Sequence, residues 1–165
     1  MTIARVGYLG LGSNVGDSAA NLRAATTALA DAGVTIHARA SIYVTAPQGE
    51  VLDQPDFLNS ALKIETTLAP LELLDLCKLI ERDQGRDPDG LRHGPRPIDI
   101  DVLLLGAEPF DSERLTLPHR EIATRRFVLE PLLEIEPELT LPDGTRADAL
   151  LTGVADQRVE KTGEL

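Results

Sequence analysis

One cysteine, three histidines and no apolar run of membrane-spanning length occur in this chain, and each shortage removes a class of protein. The lone Cys77 can form no internal disulfide. It falls in an apolar helical pattern, where a thiol acts as a small packing residue, and its isolation suits a reducing, cytoplasmic compartment. So few sulfur and imidazole groups leave a zinc site short of its usual ligands. A membrane helix needs roughly 20 consecutive apolar residues, and no segment here offers them. The opening MTIARVGYLGLGSNVGD has neither the basic end nor the long apolar centre of a secretory leader. A soluble protein with no membrane partner is expected. Positive charge is also scarce: 16 Lys and Arg face 27 Asp and Glu, a formal net charge of -11, so no nucleic-acid partner is expected.

What is present is a 165-residue chain, enough for one compact domain over 1–165 with a real core. Its charge is uneven, because nine basic and ten acidic residues lie between Lys78 and Arg126, leaving seven basic and seventeen acidic elsewhere. An anion could be received in the nearly neutral stretch. The segment IARVGYLGLGSN reads as a strand running into a loop. Asp17 or Ser18 then caps a helix with Leu22, Ala25, Thr26 and Leu29 on one stripe and Gly33 as its stop. VTIHARASIYVT and FLNSALKIETTL read as an antiparallel strand pair across the loop APQGEVLDQPD. Pro70 opens a second helix with Leu73, Leu76, Cys77 and Ile80 inward and Gly85 at its end, and PIDIDVLLLG follows as a strand. The order β-α-β-β-α-β makes this an α+β, ferredoxin-like fold, an antiparallel sheet with helices packed on it. Extra C-terminal elements follow: a polar loop RLTLPHREIATRRF, a short helix in VLEPLLEIEPEL interrupted or ended by prolines, and a small strand and turn in LTLPDGTR.

The stretch RHGPRPIDIDVLLLG raises the question of chemistry. Side chains alternate along a strand, so Asp99 and Asp101 share one face while Ile98, Ile100 and Val102 take the other. Their Cα atoms would be about 6–7 Å apart. Two carboxylates so placed need cations, since burial and mutual repulsion would otherwise protonate one of them. Arginine salt bridges would serve. So would magnesium, a hard ion that binds through one or two carboxylates and substrate phosphates. Arg86, Arg92 and Arg96 stand on the preceding loop, and guanidinium groups grip phosphate through a planar fork, which points to a polyphosphate such as a nucleoside triphosphate. No GxxxxGK[ST] loop is present, and the Gly10 and Gly12 pair in GLGSN is too sparse for a dinucleotide fingerprint. His119 stands near Arg114, Arg120, Arg125 and Arg126, where an imidazole could donate to phosphate.

With these residues assembled, the chain resembles the 6-hydroxymethyl-7,8-dihydropterin pyrophosphokinases of folate biosynthesis, from about Tyr8 to Gly144. The resemblance is carried by GLGSN, APQG with DQPDFLNSA, IERDQGR, GPRPIDIDVLLLG and LTLPHREIATRRF, in that order and spacing. It implies an ATP-dependent pyrophosphokinase that moves diphosphate from ATP to the pterin alcohol and releases AMP. It further implies two magnesium ions on Asp99 and Asp101. Arg86, Arg96, His119 and Arg125 match positions that contact phosphates or nucleotide, and Glu81 and Thr116 match positions lining the adenosine pocket. Thr45, Phe57, Asn59 and Phe127 match the pterin pocket, the two aromatics sandwiching the ring and Asn59 reading its polar edge. Without the resemblance Phe57 and Phe127 would pass for core residues. In a chain with 3% aromatics, two reserved for a planar ligand is physically sensible, since stacked rings gain beyond area burial. The chain departs from the pattern at His93 for tryptophan, Pro88 for a loop arginine, Arg120 for tyrosine and Lys78 for glutamine.

The implied reaction is in-line attack of the pterin hydroxymethyl oxygen on the β-phosphorus, with Asp99, Asp101, Arg86 and Arg96 as the catalytic group. The loops at 46–56 and 86–95 would be lids. Two readings from other classes stand beside it: a non-catalytic ferredoxin-like ligand-binding module whose aspartates are merely salt-bridged, and a metal-dependent nuclease. A monomer is expected, no exposed apolar seam being evident.

Overall fold

A computed structural model describes residues 3–46, 53–85 and 95–165. Strand β1 (Arg5–Ser13) lies at the centre of the sheet, antiparallel to β4 (Phe57–Thr66) on one side and to β5 (Asp99–Leu105) on the other. VTIHARASIYVT divides into β2 (Thr35–Arg39) and β3 (Ser41–Thr45), both antiparallel to β4 as the sequence predicts. The division is small, because Ala40 between them still donates its N–H to the Ala61 carbonyl at 2.9 Å.

Helix α1 (Ser18–Asp31) starts where Asp17 accepts from the Ala20 N–H at 3.1 Å, a cap of about 1 kcal/mol. Leu22, Ala25, Thr26 and Leu29 form its buried stripe. Gly33 takes φ +97°, a left-handed conformation that lets the chain reverse. Helix α2 (Pro70–Asp83) begins with proline at its first turn and with Glu72 accepting from the Ala69 N–H at 2.9 Å. It buries Leu73, Leu74, Cys77 and Ile80, with Leu76 half-buried. Both helices cover one face of the sheet, over Leu9, Leu11, Leu62, Ile64, Ile98, Ile100 and Val102. This is the predicted β-α-β-β-α-β arrangement.

Three C-terminal features differ from expectation. The loop RLTLPHREIATRRF contains structure: β7 (Thr116–Leu117) pairs with β6 (Phe110–Asp111), a 3-10 turn spans Ile122–Thr124, and Leu115, Leu117 and Ile122 are buried. Helix α3 (Arg126–Ile135) runs through Pro131 instead of breaking there. Burial of Val128, Leu129, Pro131 and Leu132 against the second face of the sheet overrides the missing backbone donor. After the short helix α4 (Ala147–Leu150), an unforeseen edge strand β8 (Val159–Glu164) pairs with β3, giving the order β5-β1-β4-β3-β8. Its sequence VEKTGE is mostly exposed and carries no apolar alternation that would have revealed it.

Helix α3 is tied down at its C-terminal end by polar contacts to strands. The hydroxyl of Tyr43 donates to Glu134 at 2.6 Å, Ser41 donates to the same carboxylate from its N–H and its hydroxyl, and Tyr8 and Lys63 reach Glu136 at 3.0 and 2.7 Å. The helix therefore has a fixed orientation, and its first turn projects Arg125 and Phe127 over the other end of the sheet.

Candidate active site

Register builds the site from the centre of the sheet outward. Gly12 on β1 pairs with Asn59 on β4 and with Asp99 on β5, so an amide and a carboxylate flank a residue without a side chain. A Cβ on Gly12 would lie 2.8 Å from the Asn59 Oδ1, well inside contact distance. Glycine here keeps the floor open. Two strands of about 4.8 Å spacing then separate Asn59 from Asp99 by roughly 10 Å.

A bulge fixes the other border. Leu9 pairs with Val102 and Tyr8 with Leu104, leaving Leu103 as the extra residue. Its carbonyl accepts the His119 N–H at 2.9 Å, which anchors the segment after β7 across the face that carries Asp99 and Asp101. The aspartates thus face α3, while Ile98, Ile100 and Val102 face α1 and α2, as strand alternation predicts.

Two cavities open on this face. A cleft of about 390 Å³ is lined by Arg96, Asp99, Asp101, Thr116, His119 and Arg125, with Arg114 and Arg120 at its margin. A narrower slot of about 60 Å³ is lined by Thr45, Phe57, Asn59 and Phe127 over Gly12. Arg96, Asp99 and Arg125 line both. Inside the slot, Asn59 donates to the Thr45 hydroxyl at 2.6 Å, which fixes the plane of the buried amide. The Arg125 guanidinium sits 5.4 Å from the Phe127 ring centroid and pairs with Glu121.

The electrostatics are those of a site short of cation. Burial and the neighbouring Asp99 charge push the Asp101 carboxyl up to about 7, Glu81 adding to the rise and Arg125 opposing it. Asp99 pairs with Arg96 at 3.4 Å. Burial and then Arg125 lower the His119 imidazole, so it is neutral near pH 7. Its Nδ1 accepts the Glu121 N–H at 3.2 Å, which assigns the remaining proton to Nε2. Arg125 and Arg126 stand at the N-terminal end of α3, where the helix dipole already favours anions. Among the described residues no group of three or more acidic, histidine or cysteine ligands gathers, so any divalent ion would rely on the aspartate pair.

A scan against family models matches residues 8–137 to 7,8-dihydro-6-hydroxymethylpterin-pyrophosphokinase (HPPK). The chain belongs to this family. A 2-amino-4-hydroxy-6-hydroxymethyldihydropteridine pyrophosphokinase of Methylorubrum extorquens is 48% identical over 144 residues, 87% of this chain and 90% of that protein. A mitochondrial folate synthesis bifunctional protein of Pisum sativum is 48% identical over 127 residues, 77% of this chain. The chain spans about a quarter of the length of the plant relatives it matches, 24% for the pea protein. Among solved structures, the HPPK-DHPS of Plasmodium falciparum with pteroate aligns at TM-score 0.71 and 15% identity, covering 93% of this chain and 43% of that one. At that identity the likeness speaks to the HPPK fold alone.

Of the residues expected at the site, Thr45, Phe57, Asn59, Arg96, Asp99, Asp101, Thr116, His119, Arg125 and Phe127 line the two cavities. Glu81 does not line the cleft. It is buried on α2, where its carboxylate accepts the Ile100 N–H at 2.7 Å and faces the Lys78 ammonium at 3.4 Å. Arg86, Pro88, Arg92 and His93 lie outside the described residues, as does most of each expected lid. One residue was missed. Asn14 is buried and exchanges backbone-level hydrogen bonds with Arg96, accepting its N–H at 2.8 Å and donating to its carbonyl at 3.0 Å, while its amide donates to Gln54 and Pro55 at 2.9 Å. The signal was GLGSN itself, whose asparagine joins Arg96, which lines the larger cleft, to the Gln54 and Pro55 segment before β4.

Proposed function

We propose that this protein transfers diphosphate from ATP to 6-hydroxymethyl-7,8-dihydropterin, giving the pterin diphosphate and AMP, in folate biosynthesis. The observation that carries the reading is the pair of adjoining cavities. One is polar and arginine-lined, the other narrow and lined by two phenylalanines, and Arg96, Asp99 and Arg125 border both. A polyphosphate in the first and a planar heterocycle in the second would meet at those three residues. Membership of the HPPK family and the names of near full-length relatives support the same activity.

The donor set fits magnesium. Two carboxylates on one strand face are hard oxygen ligands, and the proton held by Asp101 up to about pH 7 marks a place where positive charge is wanted. Asp99 and Asp101 would hold two such ions, which when bound would neutralise phosphate charge and acidify the attacking hydroxyl. The chain's own residues do the positioning. Asn59, with its amide plane fixed by Thr45, reads the edge of the pterin, and Phe57 and Phe127 stack on its faces. Arg96 and Arg125, and Arg86 beyond the described residues, hold the phosphates, and neutral His119 donates from Nε2. Thr116 lines the nucleotide side, and Glu81 acts from below by fixing the β5 backbone at Ile100. Proximity and charge placement supply most of the rate.

Among the described residues no helix is long and apolar enough to cross a membrane. A single-domain, monomeric, cytoplasmic enzyme without nucleic-acid or membrane partners is the accompanying proposal. The test mixes the protein with ATP, magnesium and the pterin and follows AMP. Formation of AMP that requires the pterin supports the reading; AMP formed equally without it, or none, overturns it.

A further inference from the structure

Arg125 lines both cavities, yet it stands where local structure gives little support. It is the N-cap of α3, with extended backbone at φ -126° and ψ 108°, and its side chain makes no capping hydrogen bond. Helices commonly begin with Ser, Thr, Asp or Asn at that place, because a short oxygen-bearing side chain satisfies one of the first free N–H groups. An arginine cannot do this. The 3-10 turn before it ends at Thr124, so Arg125 is a single extended residue between two helical segments.

Gln157 supplies what the arginine lacks. Its half-buried side chain reaches the junction from the turn before β8: Oε1 accepts the Arg126 N–H at 2.9 Å, and Nε2 donates to the Thr124 carbonyl at 2.8 Å. One amide thus grips the backbone on both sides of Arg125. The grip is returned, since the Arg126 guanidinium donates to the carbonyls of Gln157 at 2.8 Å and Ala155 at 3.3 Å, while its Nε donates to Glu130 at 3.0 Å. Two residues on, Val159 opens β8 opposite Thr45, the residue that fixes Asn59 in the slot. We infer that Gln157 is a positioning residue that sets Arg125, and with it the wall shared by the two cavities. It lies past every motif that carries the family resemblance, and the inference rests on the proposed function.

A mere tether for the C-terminal segment would be indifferent to the Arg125 side chain, and a double-mutant cycle separates the two roles. Wild type, Gln157→Ala, Arg125→Ala and the double variant are compared in kcat/KM for pterin-dependent AMP formation and, by calorimetry, in affinity for an unreactive ATP analogue with magnesium. Gln157→Ala is expected to lower kcat/KM roughly 10-fold, the scale of two neutral hydrogen bonds spent on orientation. The loss should fall on kcat more than on analogue affinity, because orientation counts most in the transition state. In the Arg125→Ala background the same substitution should change kcat/KM by less than about twofold. Gln157→Glu keeps the acceptor for Arg126 and loses the donor to Thr124, so it should recover part of the loss, and it takes the place of Ala in the cycle if the Ala variant does not fold.

A Gln157→Ala enzyme within about twofold of wild type in kcat/KM overturns the inference. So does an equal loss with and without the Arg125 side chain, which would mark Gln157 as structural support alone. The proposed function fails on a different result: wild type that makes no pterin-dependent AMP.

Discussion

Replacing Asp101 with Asn should make the metal-free protein more stable while nearly abolishing turnover. In the fold, burial and Asp99 raise the Asp101 carboxyl from 3.8 to about 7, so the folded state favours the protonated acid. Below the unfolded value both states are protonated and the group is neutral in its effect. As pH rises from about 4 to about 7 the unfolded chain ionises while the folded acid stays protonated, so stability falls across that window and levels off above it. A displacement of about three units, at ~1.4 kcal/mol per unit, gives a ceiling of about 4 kcal/mol at pH 8. The carboxylate borders an open cleft, and water there screens part of this, leaving an expected gain of ~1–3 kcal/mol for Asp101→Asn.

Urea denaturation at about pH 3.5 and at pH 8, without divalent ions, separates the possibilities. Wild type and variant should nearly coincide at about pH 3.5, below the unfolded value, and diverge progressively up to pH 8, the variant being the more stable. Added magnesium with an unreactive ATP analogue should raise wild type and leave the variant little changed, because the amide cannot replace the anionic ligand. AMP formation should drop by about 10²–10³ or more, the scale on which removal of a charge-stabilising group is felt. An Asp101→Asn protein that is less stable than wild type at pH 8 without metal would refute the reasoning, since the carboxylate would then be a satisfied structural group.

Gly12→Ala puts a Cβ 2.8 Å from Asn59 Oδ1, and overpacking of about 1–3 kcal/mol should appear as a raised KM for the pterin with ATP-analogue affinity less affected, read by calorimetry for each ligand. Asn14→Ala removes the side-chain hydrogen bonds of a buried amide that joins Arg96 to Gln54 and Pro55. It should weaken both ligands and lower kcat, with Asn14→Asp failing to restore the donors; steady-state kinetics check this. Tyr43→Phe deletes a 2.6 Å hydrogen bond to Glu134 and should destabilise the fold by ~1 kcal/mol in urea. Burial alone would raise the Glu134 carboxyl, but hydrogen bonds from Tyr43 and Ser41 hold it below the usual range. Its stabilising effect is present above the ordinary glutamate range and lost as pH falls through the lowered value, so the variant should show a shallower acid decline.

How much of this was legible in the sequence depended on the signal each element carries. The helices announce themselves, since Asp17, Pro70, Gly33 and Gly85 bracket apolar stripes that the fold buries. The shared face of Asp99 and Asp101 follows from alternation alone. Edge strand β8 does not, because VEKTGE owes its place to backbone pairing with β3 and buries almost nothing. Proline reads locally as a breaker, and only the neighbouring Val128, Leu129 and Leu132, packed on a face the linear pattern does not reveal, explain why α3 continues through Pro131. Asn14 within GLGSN carries no local signal of its role, because its partners are 40 and 82 residues away.

The bulge at Leu103 answers why a strand this apolar can carry two carboxylates. Without the extra residue β5 would keep one register with β1 along its length. With it, the Leu103 carbonyl turns to receive His119, and the segment bearing His119, Arg120 and Arg125 is drawn over Asp99 and Asp101. The Arg125 charge then lies close enough to lower Asp101 while Gly12 leaves space beside the carboxylates, and α3, fastened at Glu134 and Glu136, delivers Phe127 to that space. The acids are tolerable because Arg96, from the segment before β5, pairs with Asp99, and Arg125, on the segment the bulge anchors, opposes the upward push that burial and Asp99 exert on Asp101. Deleting Leu103 should therefore disturb the cleft more than the slot: ATP-analogue affinity should fall further than pterin affinity, and equal losses in both would mean that the bulge merely maintains the sheet.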